Sequence, residues 1–136
     1  MRRTLALASV AVAVLLAVYF SNNSATIAQG KKGSMLSHDV FFTLKDNSPE
    51  AKRKLVEACK KYLSGHEGEV FFSAGVRDES RKREVNDADF DVALHIVFKD
   101  SAAEVKYQTA DRHEQFIKEN KDNWKKVRVF DSVVQR

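Results

Sequence analysis

A single cysteine, a single proline and five glycines in 136 residues set limits before any motif is read. With only Cys59 available, no disulfide can close within the chain. The fold must then be held by its core or by association with another copy. None of the five glycines belongs to a glycine-rich phosphate loop, so nucleotide chemistry has no anchor. One proline excludes a proline-rich linker, and no internal repeat or low-complexity tract is present. An excess of one charge is missing too. The chain has 23 Lys and Arg against 19 Asp and Glu, and its first thirty residues hold two of the arginines and none of the acids. The remaining 106 residues thus carry 21 basic and 19 acidic side chains, a net of +2. That balance gives no reason to expect a nucleic-acid partner.

Long apolar runs are absent except for one. Behind Met1-Arg2-Arg3, Leu5 to Phe20 is a run of Leu, Ala, Val, Tyr and Phe with one Ser, and no charge falls between Thr4 and Gly30. A basic start, an apolar middle and a small-residue exit describe a secretory signal, with cleavage expected after Thr26-Ile27-Ala28 and before Gln29. Residues 1–30 are therefore expected to direct export to a periplasm, cell envelope or extracellular space. The alternative is an uncleaved N-terminal hydrophobic helix that anchors the protein through residues 5–20. That run falls short of the roughly 17 to 20 apolar residues needed to span a bilayer.

Residues 31–34 read as a polar linker and residues 35–136 as one domain with one core. Leu36, His38, Val40, Phe42 and Leu44 share one parity, the mark of a strand with a strongly apolar face. Ser48, Pro49 and Glu50 form a helix start, and Ala51, Leu55, Val56, Ala58, Cys59, Tyr62 and Leu63 form its stripe. Gly65 stops that helix. A second strand is expected from Glu69 to Val76, then a charged, mobile loop from Arg77 to Asp89. Phe90, Val92, Leu94, Ile96 and Phe98 mark a third strand, with His95 on its opposite face. The capping-box spacing of Ser101 and Glu104 opens a helix running to about Asn120, with a break near Thr109-Ala110. Trp124 is expected in a loop, and the last strand at Val127–Val134.

The order β-α-β-β-α-β is the ferredoxin-like α+β pattern: a four-stranded antiparallel sheet with the helices on one face. Its other face has no cover, yet the strands carry large side chains on both parities. An open apolar sheet face calls for a partner.

These residues resemble the stress-responsive A/B barrel domain, a family of dimeric α+β barrels. The resemblance spans about Met35 to Val134. It rests on His38-Asp39-Val40-Phe41-Phe42-Thr43-Leu44-Lys45, on Phe90-Asp91-Val92-Ala93-Leu94 with Phe98-Lys99-Asp100, on Tyr107 to His113, and on Val129-Phe130-Asp131. It implies a homodimer whose two sheets pack face to face, with a pocket for a small apolar molecule in each subunit. Most relatives have no established reaction. A plant member closes a polyketide by aldol condensation with a tyrosine and a histidine six residues apart, the histidine oriented by an aspartate of the last strand. The resemblance thus implies Tyr107, His113 and Asp131 as candidate catalytic residues, with His38 matching a further histidine. The family usually has a proline before the histidine's helix, where this chain has Ala110-Asp111-Arg112.

Read on their chemistry, a histidine moves protons near neutral pH, and a carboxylate on its second nitrogen fixes the tautomer. A phenol can hydrogen-bond an enolate or carbonyl oxygen. The set suits a cofactor-free lyase or cyclase acting beside a carbonyl. A structural reading uses the same residues: a His–Asp bond pinning the last strand, with Tyr107 simply packed. Monooxygenase-like chemistry is a further alternative by analogy of fold. No cofactor is expected. His38, His95, His113 and Asp131 are ligand types, but their spacing does not define a metal site. Cys59 is expected to be a buried thiol, His66 a turn residue, and Trp124 a lid or dimer anchor.

Overall fold

The computed structural model describes residues 33–135. The export or anchor assignment at residues 1–30 lies outside the described residues. Among those described, no helix is long and apolar enough to cross a membrane.

The chain forms β1 (Leu36–Leu44), α1 (Pro49–Leu63), β2 (Glu69–Val76), β3 (Val92–Phe98), α2 (Ser101–Gln108), α3 (Asp111–Asn120) and β4 (Trp124–Val133). The strands make one antiparallel sheet in the order β2-β3-β1-β4. This is the ferredoxin-like α+β fold. Alternation decides which face is covered. Val40, Phe42 and Leu44 of β1 and Val92, Leu94, Ile96 and Phe98 of β3 are buried beneath the helices. Leu55, Cys59 and Leu63 of α1, Tyr107 of α2 and Phe116 of α3 close over them. Burial pushes the Cys59 thiol up to about 12, which leaves no thiolate near neutral pH.

The helix boundaries follow their caps. Ser48 accepts from the Ala51 amide and Pro49 takes the first helical position. The second helical segment starts at Ser101, but its cap is Asp100, whose carboxylate accepts from the Ala103 amide at 2.8 Å. Asp100 already stands in extended backbone one residue before the first turn, so the capping box at Ser101 is not used. The break falls at Thr109-Ala110. Ala110 has φ −73° and ψ 138°, an extended geometry that separates α2 from α3. At Gly68 the chain turns with φ +84°, and an added Cβ would lie 2.5 Å from the Ala103 Cβ.

The charged loop stays exposed from Asp78 to Val85, but its end is held to the sheet. Asp87 pairs with Arg128 at 2.8 Å, Asp89 pairs with Lys126 at 2.6 Å, and Thr43 donates to the Asp89 carbonyl at 2.9 Å. Charges that read as solvated in sequence find opposite partners on β4. The strap crosses one end of the uncovered sheet face. On the rest of that face, Phe71 and Phe130 are about half exposed and Phe41 packs edge-on to Phe90, His95 and Phe130.

Candidate functional site

Register brings the first two site residues together. His38 of β1 lies directly across from Asp131 of β4, and cross-strand neighbours are the side chains a sheet holds closest. His38 Nδ1 is 2.7 Å from Asp131 Oδ1. A carboxylate only accepts, so Nδ1 carries the proton and the neutral ring keeps Nε2 unprotonated. His38 is buried while the Asp131 side chain is 52% exposed, so the pair reaches from the core to the edge of the sheet.

This corrects one expectation. The aspartate of the last strand orients His38, not His113. His113, in the first turn of α3, points Nδ1 at the Gln108 carbonyl at 3.1 Å. That carbonyl ends α2, where no intrahelical donor remains to satisfy it. His113 therefore serves as a side-chain cap across the break, again with Nε2 left unprotonated in the neutral ring. Burial lowers the His113 pKa below its ordinary value of 6.5, against a smaller upward pull from the Gln108 carbonyl.

Tyr107 sits between the two histidines. Its ring centroid is 4.6 Å from that of His113 and 5.7 Å from that of His38, with His66 edge-on at 4.9 Å. The residue is only 1% exposed, and its hydroxyl is buried with no hydrogen-bond partner in the protein. Burial holds the phenol well above its ordinary range, so it acts as a donor and not as a base. His66 is more than a turn residue: its Nε2 meets the Tyr62 carbonyl at 2.8 Å and its ring walls Tyr107.

His38, Asp131, Tyr107 and His113 line one cavity of about 250 Å³ between the sheet and the helices. Its body is apolar: Val40, Phe42, Leu94, Phe116, Val127 and Val129 line it as well. Trp124 also belongs to it, which sequence reading missed by placing this residue in a loop. Its ring centroid is 5.2 Å from that of Phe42 and 5.7 Å from that of Phe116, and its indole N–H is buried without a partner. The shared parity of Val127, Val129 and Asp131 does not point to it, because the register shift before Val127 puts Trp124 out of phase with them. His95 lies elsewhere, on the open face, with Nδ1 2.6 Å from Asp39. Among the described residues no group of three acidic, histidine or cysteine side chains converges to hold a metal ion.

A family model described as the stress responsive A/B barrel domain matches residues 36–134. The chain belongs to that family. Among solved structures it is similar to a family member with a ferredoxin-like fold from Mesorhizobium loti. Identity is 26%, covering 76% of this chain and 99% of that one, with a TM-score of 0.62. A dimeric ferredoxin-like protein of unknown function from Thermobifida fusca matches at 13% identity, 76% and 93% coverage and a TM-score of 0.63. A hydroxynitrile lyase from Passiflora edulis matches at 14% identity, 76% and 95% coverage and a TM-score of 0.62. The last two likenesses concern the fold alone. No curated protein matches the chain.

Proposed function

We propose that this A/B barrel protein is an exported homodimer that binds a small, mostly apolar molecule carrying one hydrogen-bonding oxygen. The observation that carries the reading is the cavity itself: an apolar hollow with His38, His113 and Asp131 at one end and the Tyr107 ring in its wall. At about 250 Å³ the cavity lies below the range of drug-sized pockets, so the ligand is small. The homodimer is supported by the half-exposed Phe71 and Phe130 on the open sheet face and by dimeric proteins of the same fold. Export rests on the sequence of residues 1–30.

Trp124 is the only tryptophan and lines the cavity, so its emission reports occupancy. A screen of small ketones, phenols and lactones should yield saturable changes in that emission, weakened severalfold in His113→Ala. A flat response across the screen would remove the binding reading.

The His38–Asp131 pair favours a second reading, cofactor-free proton transfer beside a carbonyl, because a carboxylate-oriented imidazole lines the same cavity as His113. Nuclear magnetic resonance in deuterium oxide tests it. Exchange of α-hydrogens of a bound ketone, lost in His38→Gln with binding retained, supports chemistry. Binding without exchange leaves a binding protein.

A further inference from the structure

We infer that acid strengthens the homodimer, because His95 and Asp39, paired at the centre of the uncovered sheet face, take up a proton when two copies close over them. The inference rests on the homodimer reading above and names what regulates it.

The pair stands apart from the cavity, on the other face of the sheet. One rung crosses all four strands there: Ser73 of β2, His95 of β3, Asp39 of β1 and Phe130 of β4. The inner strands are β3 and β1, so His95 and Asp39 occupy the middle of the face. His95 Nδ1 is 2.6 Å from Asp39 Oδ1, and the Ser37 hydroxyl donates to the other carboxylate oxygen at 2.9 Å. Both side chains are partly exposed, so both have water to lose when the face is covered. Aromatic rings flank them. Phe41 packs edge-on to His95 and to Phe130, and Phe71 stands half exposed on β2.

Charge on that face is otherwise matched. Lys126 and Arg128 of β4 pair with Asp89 and Asp87, and Arg77 beyond the end of β2 pairs with Glu79. Among the described residues no lysine or arginine pairs with Asp39. With a neutral imidazole the cluster therefore carries one uncompensated negative charge, which water screens in the separate chain. An isologous interface sets the same patch of each copy against the other, and packed sheets lie about 10 Å apart. Closing the dimer encloses two like charges in an apolar layer, at a cost in free energy. One proton per subunit removes that cost by turning each cluster into an ion pair of zero net charge. The dimer then binds more protons than two separate chains, so its dissociation constant falls as pH falls. The dependence fades at alkaline pH, where neither state holds the proton, and again once the separate chains hold it too. Two protons per dimer set an upper limit of about a hundredfold per pH unit.

Sedimentation equilibrium of the 136-residue chain from pH 8.5 to pH 6, at constant ionic strength, tests this. The dissociation constant of the wild type should be at least about tenfold lower at the acid end. Asp39→Asn keeps an acceptor for His95 and removes the charge, so its dimer should be tight at both ends and nearly independent of pH. His95→Gln keeps the carboxylate and removes the proton site, so its dimer should be weak at both ends. A slope carried by His38, His66 or His113 would survive both substitutions. Calorimetric dilution of the wild type in two buffers of different ionisation enthalpy counts the protons without any variant. It should find about one to two released per dimer near pH 7. A wild-type dimer that releases none, or a pH slope that persists in both folded variants, overturns the inference and leaves the homodimer reading intact. A monomer at every pH overturns the homodimer reading, and the inference with it.

Discussion

Replacing Tyr107 by Phe should stabilise the unliganded protein. The hydroxyl is buried, its residue is 1% exposed, and no protein group accepts from it or donates to it. Folding strips that hydroxyl of water and returns nothing, at a cost of about 1–3 kcal/mol. Phenylalanine keeps the ring, and with it the packing on Phe98, His113 and His66. The expected gain is the larger part of that cost, about 1–2 kcal/mol. For a domain of this size each kcal/mol moves the melting midpoint by about 4–8 °C. Thermal and urea unfolding at one fixed protein concentration, which an oligomer requires, would measure it. A stability loss of 1 kcal/mol or more would refute the reasoning, since it would mean that the hydroxyl already has a partner in the folded protein.

Other consequences follow from single positions. Gly68→Ala should cost roughly 2–4 kcal/mol, because φ +84° is left-handed and the new Cβ would meet Ala103; urea unfolding measures it. His113 has a depressed pKa through burial, so below 6.5 the unfolded chain binds the proton more readily. Its contribution to stability is present above that pH and is lost as pH falls through and below it. Unfolding free energies at mildly acidic and neutral pH should therefore differ less in His113→Gln than in the wild type. Phe130→Glu puts a charge on the open sheet face, and light scattering at micromolar concentration should then find a dimer for the wild type and a monomer for the variant.

Most of the fold was legible because both periodicities were clean. The shared parity of Val40, Phe42 and Leu44 survives as the buried face of β1, and the break at Thr109-Ala110 appears where the apolar stripe lapses. The site was legible as a set of residues but not as a set of bonds. His38 and Asp131 are 93 positions apart, and only register shows that they face each other. The pairing expected of His113 went instead to a backbone carbonyl freed by that same helix break. Trp124 was hidden by Lys125 and Lys126, which look like loop, and by a register shift that no periodicity reveals. The end of the charged loop looked solvated because the partners of Asp87 and Asp89, Arg128 and Lys126, lie some forty positions away on another strand.

The most direct measurement is a crystal structure of the protein with methyl pentyl ketone bound. The expected result places the ketone in the cavity between sheet and helices, with its carbonyl at the end lined by His38, Asp131 and His113. The alkyl tail should lie between Val40 and Phe116 and point at Trp124. A ketone seated on the open sheet face, or one whose oxygen avoids His38 and His113, would contradict the assignment of this cavity as the functional site.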